Sequence, residues 1–379
     1  MELITIPIPS DTPGTSAALQ FYRFGTNSTG PKVFMQAGLH ADEQPGMLIL
    51  HHLLPMLATA ENEGKLNAEV VIMPMVNPLG MAHLQFHTHR GRYHPVLGLN
   101  YNRGWVDLDA ELFRHAGDLT TRLGSDAATN KALVLELLQQ WHAGVRPVTA
   151  LEHLRHAVTA EAMNADMVLD LHCDDEALNH IFIVPQLMPE YQDLSDWMGA
   201  AATLTAEDSG GNSFDEVWPG LWIKLARRYP DAAWPSVPLA ATLEYRGQHD
   251  VDDVINRQDA VNLYGFLAGR KIVSDDCGTP PKAPPPLPLN AMETLRVQTH
   301  GLLAYKVALG AEVKKGDAIA DLIDLDGKGF ARTRTPIHAG TDGVVISRNM
   351  IKYVQPGVSI AKIAGSVPLA SRGDYLLED

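Results

Sequence analysis

The chain of 379 residues has little cysteine, no run of basic residues and no long apolar segment. Its two cysteines, Cys173 and Cys277, are too few for a disulfide framework, so a reducing compartment is expected. The formal net charge is −15, which disfavours nucleic acid and anionic membranes as partners. No stretch is long enough to span a bilayer, and the first nine residues lack the basic head and apolar run of a signal peptide. The sequence therefore predicts a cytoplasmic protein with no membrane and no nucleic-acid partner.

Up to about residue 274, apolar runs typical of strands alternate with segments of helical periodicity. Residues 70–73 and 167–171 are predicted strands, whereas residues 130–142 and 260–267 are predicted helices. With 45% hydrophobic residues the chain can bury a large core. The alternation predicts an α/β fold with a mixed, mostly parallel sheet and helices on both faces.

A proline-rich segment, residues 275–288, divides the chain, because so many prolines exclude both a helix and a central strand. We predict a first domain over residues 1–274, a linker over 275–288 and a small C-terminal all-β domain over 289–379. The short strands and glycine turns of this last part resemble the barrel-sandwich hybrid of lipoyl and biotinyl carrier domains. Lys328 lies near the position of a carrier's modified lysine. We favour an ordinary hairpin tip there, because the carrier's lysine motif is not reproduced.

His40 and Glu43 have a spacing that allows both side chains to bind one metal ion. They follow a predicted buried strand, residues 33–37, and precede an apolar run of helical periodicity, residues 47–57. Open α/β sheets keep their sites at this edge, where strands end and helices begin. The alternative is a histidine at a helix start that is hydrogen-bonded to a nearby acid.

A third ligand and a general base are predicted at the ends of two further apolar runs. His172 follows the strand of residues 167–171, and two histidines with one carboxylate leave a coordination position of Zn²⁺ open for water. Glu244 follows the apolar residues 237–241 and is the expected general base. The alternative for Glu244 is a surface carboxylate paired with Arg246.

The segment between these motifs is rich in groups that bind anions. Asn102 and Arg103 could hold a substrate carboxylate, and Arg92 could stabilise a developing oxyanion. An arginine-rich loop that pairs with the acidic surface is the alternative, and Arg90 competes with Arg92 for the second role. Four histidines in the preceding loop, at positions 83, 87, 89 and 94, are interpreted as solvated loop residues rather than as a second metal site.

The ordered set resembles the carboxypeptidase A-like zinc hydrolases, and most closely their succinylglutamate desuccinylase and aspartoacylase branch. The residues that carry the resemblance are His40-x-x-Glu43, Arg92, Asn102-Arg103, His172 and Glu244. The resemblance covers roughly residues 30 to 270 and makes residues 1–274 the expected catalytic domain. It implies one zinc ion per chain held by the two histidines and Glu43, with Glu244 as base. It also implies that the C-terminal β domain narrows the mouth of the site.

One departure from the family concerns Asn100-Tyr101-Asn102-Arg103, because members often read Asp-Leu-Asn-Arg there. The missing acid leaves specificity for acyl-aspartate or acyl-glutamate open. The expected function is a zinc-dependent hydrolase that cleaves an N-acyl amino acid or a related small amide. A carboxypeptidase acting on peptide C-termini and a non-catalytic binding protein with a degenerate metal site are the alternatives. The oligomeric state, including a homo-oligomer, is left open.

Overall fold

The computed structural model describes residues 1–326, 333–373 and 376, so Lys328 lies outside the described residues. The helices are α1 (Pro45–Asn62), α2 (Pro78–Met81), α3 (Leu108–Ala116), α4 (Ala127–Gly144), α5 (Ala150–Ala162), α6 (Gln192–Met198), α7 (Phe214–Arg228) and α8 (Asp253–Gly269). The strands up to residue 288 are β1 (Glu2–Ile8), β2 (Ala17–Phe24), β3 (Lys32–Ala37), β4 (Glu69–Met73), β5 (Leu84–Gln85), β6 (Thr88–His89), β7 (Met167–Asp174), β8 (Glu176–Ala177), β9 (His180–Ile183), β10 (Ala202–Thr205), β11 (Leu239–Gly247) and β12 (Leu287–Pro288). Those that follow are β13 (Met292–Arg296), β14 (Gly301–Tyr305), β15 (Glu312–Val313), β16 (Ala318–Ile323), β17 (Arg334–His338), β18 (Gly343–Arg348), β19 (Tyr353–Val354) and β20 (Ser359–Ala364).

Within the described residues, nine strands form one sheet in the order β1-β2-β4-β3-β7-β11-β9-β10-β12. Strands run parallel at the β4–β3, β3–β7, β7–β11, β9–β10 and β10–β12 junctions. They run antiparallel at the β1–β2, β2–β4 and β11–β9 junctions. The predicted mixed, mostly parallel sheet is confirmed.

Helices cover both faces of this sheet, because successive side chains of each strand point to opposite faces. On β3, Val33 and Met35 pack into a core with α1 and α8, whereas Phe34 packs into a second core with α4, α5 and α7. The helices predicted over residues 130–142 and 260–267 are found as the longer α4 and α8. No helix among the described residues is both long enough and apolar enough to cross a membrane.

The C-terminal part is all-β, as predicted. Two antiparallel sheets, β13-β20-β18-β15 and β17-β16-β14-β19, enclose an apolar core that includes Leu303, Ile319 and Val345. The proline-rich segment is non-helical, and its last two residues form β12 at the edge of the large sheet. The exact domain boundaries stay a prediction.

The two parts of the chain are joined by strand pairing and by an ion pair. The short strand β8 pairs with β18 of the C-terminal part. Lys362 on β20 donates to Asp174 at the end of β7, with 2.6 Å between Nζ and Oδ2. Both side chains are mostly buried. Burial raises the pKa of Asp174, but Lys362, His180 and the hydrogen bonds to the carboxylate together outweigh it and bring the pKa to about 2.

We expect Lys362→Met to lower the free energy of unfolding, because it leaves the Asp174 carboxylate without its cation in a poorly solvated place. Breaking a buried pair costs about 3–5 kcal/mol, and the residual exposure of both groups puts the expected loss at the lower end. Urea denaturation measures it. Lys314→Met is the matched control, because its partner Asp342 and Lys314 itself are exposed and a surface pair contributes about 1 kcal/mol or less. Equal losses in the two variants would contradict the prediction.

Candidate active site

His40 and Glu43 lie in the turn that leads from β3 into α1. Gly38 begins this turn with a φ of +72°, and a Cβ atom there would come within 2.4 Å of the Met47 side chain. The amide of Glu43 donates to the carbonyl of His40 over 3.0 Å, which closes the turn. Both side chains are about 97% buried. The turn thus directs an imidazole and a carboxylate to the same point at the carboxyl edge of the sheet.

His172 reaches that point from β7, the strand next to β3. Its Nδ1 lies 2.7 Å from Glu43 Oε2, and His40 Nδ1 lies 2.9 Å from Glu43 Oε1. The three donor groups lie within 4.8 Å of one another, and all three are buried. This arrangement could hold a metal ion.

The Nε2 atom of each imidazole, on the side of the ring away from Glu43, lies near an oxygen atom. His40 Nε2 lies 2.7 Å from Asn100 Oδ1, and His172 Nε2 lies 3.0 Å from Asp170 Oδ2. A metal-binding histidine usually donates its second N–H to such an oxygen, because this fixes the ring and turns the other lone pair toward the metal. The His40 ring therefore has the surroundings of a metal ligand, whereas the His172 Nε2–Asp170 Oδ2 contact is close in distance but lacks hydrogen-bond geometry. The donor set of two imidazoles and a carboxylate fits a divalent ion.

The charges of the metal-free centre agree with this geometry. Burial and the Arg92 charge lower the pKa of His40 to about 4, so its Nδ1 lone pair is available. Burial lowers the pKa of His172, but the carboxylates of Asp170 and Glu43 outweigh it and hold the pKa well above its usual value. Burial raises the pKa of Glu43, but His40 and His172 outweigh it and hold that pKa well below its usual value. A metal would meet an ionised Glu43 and would displace a proton from His172.

Glu244 lies directly beside His172, since the two residues are register partners on β11 and β7. The strand does not end before Glu244, as the sequence suggested, but continues to Gly247 with a register shift after Glu244. Its Oε2 is buried and has no hydrogen-bond partner among the described residues. Burial and the Glu43 charge raise the pKa of Glu244 to about 8. Arg246, the alternative partner, pairs with Asp259 instead.

Of the two competing arginines, Arg92 is the one that reaches the centre. Its Nη1 lies 2.8 Å from Glu43 Oε1 and 3.1 Å from His40 Nδ1. Arg90 is exposed and does not line the cavity at this site.

The segment Asn100–Arg103 lies beside the ligand turn and is tied to the start of α7. Asn102 Oδ1 accepts a hydrogen bond from the Phe214 amide over 2.8 Å. Asn100, which replaces the acid of the family's motif, accepts from His40 and from the Asn102 amide and does not line the cavity. The missing acid is therefore one that orients a predicted metal ligand, not one that faces the substrate.

One cavity of about 670 Å³ brings together all seven residues that the sequence singled out for the site. They are His40, Glu43, Arg92, Asn102, Arg103, His172 and Glu244. The cavity also has walls that sequence reasoning missed, including Asp215 of α7 and Arg296, Asn349 and Lys362 of the C-terminal part. No motif marks these residues. Only the expectation, implied by the resemblance, that the C-terminal part narrows the site pointed to a contribution from there.

A mostly parallel sheet with this cluster at its carboxyl edge defines the class of the zinc carboxypeptidase-like folds. Residues 29–207 match the succinylglutamate desuccinylase/aspartoacylase catalytic domain. This part of the chain is therefore similar to the catalytic domain of that family.

Three relatives illustrate the similarity. The N-alpha-acetyl-L-2,4-diaminobutyric acid deacetylase of Halomonas elongata is 24% identical over 95% of this chain and 90% of its own length. A crystal structure of a succinylglutamate desuccinylase/aspartoacylase family protein from Shewanella amazonensis has a TM-score of 0.80, with 23% identity over 96% of this chain and 98% of the other. The ectoine utilization protein EutE from Ruegeria pomeroyi, a product-bound structure, has a TM-score of 0.64, with 16% identity over 96% of this chain and 95% of the other. At these identities the two structures establish the fold alone.

Proposed function

We propose that the protein is a zinc-dependent hydrolase that cleaves the amide bond of small N-acyl amino acids, with one zinc ion per chain. The observation that carries the proposal is the meeting of three groups in one cavity. They are a cluster of two histidines and one carboxylate, the Glu244 side chain, whose Oε2 has no hydrogen-bond partner among the described residues, and the pair Asn102 and Arg103. The similarity of residues 29–207 to the succinylglutamate desuccinylase/aspartoacylase catalytic domain supports hydrolysis of an acylated amine. The Halomonas relative acts on an acetylated amino acid.

Zinc bound by His40, Glu43 and His172 would supply a Lewis acid that acidifies water and polarises the acyl carbonyl. Glu244 accepts a proton as the water oxygen bonds to the acyl carbon, and it delivers the proton to the nitrogen as the C–N bond breaks. The products are a free carboxylic acid and a free amino acid.

Different residues bind the two negatively charged groups of the substrate. Arg92 stabilises the charge that develops on the acyl oxygen, because its guanidinium lies against the predicted ligands His40 and Glu43. Asn102 and Arg103 hold the carboxylate of the amino acid through N–H donors. The C-terminal carboxylate of a peptide could bind to Asn102 and Arg103 in the same way. The strands of the C-terminal part line the cavity, however, and leave little room for a long chain.

The proposal is tested by release of free amine from N-acetyl, N-succinyl and N-formyl amino acids, measured in parallel on protein loaded with zinc and on protein stripped by a chelator. We expect turnover of at least one series in the loaded protein, loss on stripping, and recovery on readdition of zinc. Turnover that survives complete stripping would contradict zinc dependence. Cleavage of C-terminal residues from peptides in preference to all three series would favour a carboxypeptidase.

Substitution of Arg103 and of Arg92 should change different kinetic parameters. Arg103→Ala should mainly raise KM, because it removes a group that binds substrate and transition state alike. Arg92→Ala should mainly lower kcat by about 100- to 1,000-fold, the usual effect of losing one oxyanion donor. Steady-state kinetics on the best N-acyl amino acid measures both, and Arg90→Ala is the matched control because Arg90 lies outside the cavity. The reverse pattern would mean that the two roles are exchanged.

A further inference from the structure

The floor of the cavity changes character along the rows that cross the sheet. Register partners on adjacent strands point to the same face, and one such row reads Gln36, Asp170, Thr242, Phe182, Leu204 and Leu287 from β3 to β12. Thr242, Phe182 and Leu204 of this row line the cavity, so its lining changes from polar at Thr242 on β11 to apolar from β9 onward. The cavity therefore has a polar end for the chemistry and a second end of a different kind.

This second end, the apolar arm, is lined from the sheet and from the start of the C-terminal part. Its residues are Phe182, Val184, Leu204, Ala206, Leu289 and Met292, and all of them line the same cavity as the predicted metal ligands. Leu204, Leu289 and Met292 belong to one buried apolar cluster, against which Phe182 and Ala206 pack. Uncharged side chains thus line this part of the cavity on two sides.

An aliphatic side chain of the protein itself already lies against the arm. Leu376 packs on the same cluster and lines the cavity, and its amide donates to the carbonyl of Ser209 over 2.7 Å. Leucine is therefore a group that this surface accommodates.

Asn102 and Arg103, which we call the carboxylate clamp, lie on the same wall of the cavity as the apolar arm. Asn102 is bonded to the Phe214 amide, and Gly104 donates to the carbonyl of Gly211 over 2.7 Å. Ser209 and Ser213 of the same wall line the cavity. Because the carboxylate and the side chain of an amino acid leave the same carbon, a substrate held by the clamp directs its side chain along this wall.

Two carboxyl groups on the wall disfavour an acidic side chain beside them. Asp215 accepts from the Ser213 hydroxyl over 2.8 Å, and Glu216 accepts from the Ser209 amide over 2.9 Å. Neither carboxyl group has an ion pair with a described Lys or Arg, and burial together with Asp215 raises the pKa of Glu216 to about 8. The same burial disfavours the ionised carboxylate of an acidic side chain at this place, whereas it does not disfavour a neutral aliphatic chain.

We propose that the apolar arm is the pocket for the amino-acid side chain of the substrate, and that it selects an uncharged aliphatic side chain and rejects the acidic side chains of aspartate and glutamate. This inference rests on the proposed function. It makes the protein a deacylase of N-acylated aliphatic amino acids.

The test compares kcat/KM for alanine, norleucine, lysine and aspartate that carry the same acyl group, the one released fastest in the assay above. Norleucine should exceed alanine by at least 10-fold, since each buried methylene contributes roughly a fourfold gain. Norleucine should also exceed lysine, which has the same chain with a charge at its end, and aspartate should be the poorest. Aspartate or lysine at or above norleucine, or alanine equal to norleucine, would overturn the inference while leaving the deacylase function intact. Failure of every N-acyl amino acid in zinc-loaded protein would overturn the proposed function itself.

The second measurement uses a variant in which a larger side chain fills the apolar arm. Ala206→Phe should lower kcat/KM for the norleucine substrate at least 10-fold and leave the alanine substrate within about twofold. Ala143→Phe, the same change on the exposed surface of α4, should leave both unchanged. An equal loss for both substrates in Ala206→Phe would count against the pocket, and if that variant does not fold, the substrate series on the wild type decides alone.

Discussion

Glu244→Gln is expected to retain zinc and to lose about 10²- to 10⁴-fold in kcat, the range that general-base removal gives. Glutamine keeps the size and shape of the side chain but cannot accept the proton. The Oε2 atom is buried and has no hydrogen-bond partner among the described residues, so the substitution breaks no hydrogen bond of that atom with them. We therefore expect an unchanged melting temperature beside the loss of turnover.

Metal analysis and single-turnover kinetics on the same preparation separate the two effects. Glu136→Gln is the control, since Glu136 is an exposed residue of α4 whose carboxylate only accepts from Gln140. If Glu244→Gln keeps near-normal turnover with zinc in place, the base lies elsewhere in the cavity.

His172→Ala is expected to abolish stoichiometric zinc and, with it, all measurable turnover. A site of three protein ligands loses a large part of its binding free energy when one imidazole is removed. The variant also leaves Glu43 with one imidazole fewer to hold its carboxylate ionised. Zinc per chain, measured by inductively coupled plasma mass spectrometry after dialysis, should fall from about one to near zero.

Two controls accompany this measurement. His94→Ala removes an imidazole that accepts from the Val96 and Leu97 amides and contacts the Tyr101 ring, and it should keep full zinc because His94 lies outside the three-residue cluster. Circular dichroism establishes that His172→Ala is folded. A folded His172→Ala protein with a full complement of zinc would show that His172 is not a ligand.

Some features of the site were predictable because they follow from local sequence. His40 and Glu43 lie between an apolar strand and an apolar helix, and His172 closes a run of buried residues, so each pattern indicates a sheet edge. Register then places Glu244 beside His172 on the next strand. The sequence did not distinguish Arg90 from Arg92, because both precede the same loop. The carbonyl of Gly91 accepts a hydrogen bond from the Ala41 amide. The backbone that follows Gly91 then brings Arg92, and not Arg90, to the centre.

Other features depend on contacts between distant parts of the chain and have no local signature. Lys362 lies 188 positions from its partner Asp174, and the two meet only because β8 and β18 bring the C-terminal part against the sheet. The role of Asn100 was equally hidden, since the motif marks it as a departure but not as the oxygen that faces His40. The amino-acid sequence was therefore sufficient to predict which residues meet at the centre, and insufficient to predict the walls around it.

The change from polar to apolar residues along the cavity floor has an evolutionary consequence. The proposed chemistry depends on the β3 turn, β7 and β11, whereas the apolar arm is built on β9, β10 and the residues after β12. Phe182 and Leu204 can be exchanged without disturbing the predicted metal ligands, because β11 lies between the two groups of strands. A lineage with this architecture can acquire a new substrate by drift at one side of the sheet while its catalytic apparatus stays under purifying selection at the other.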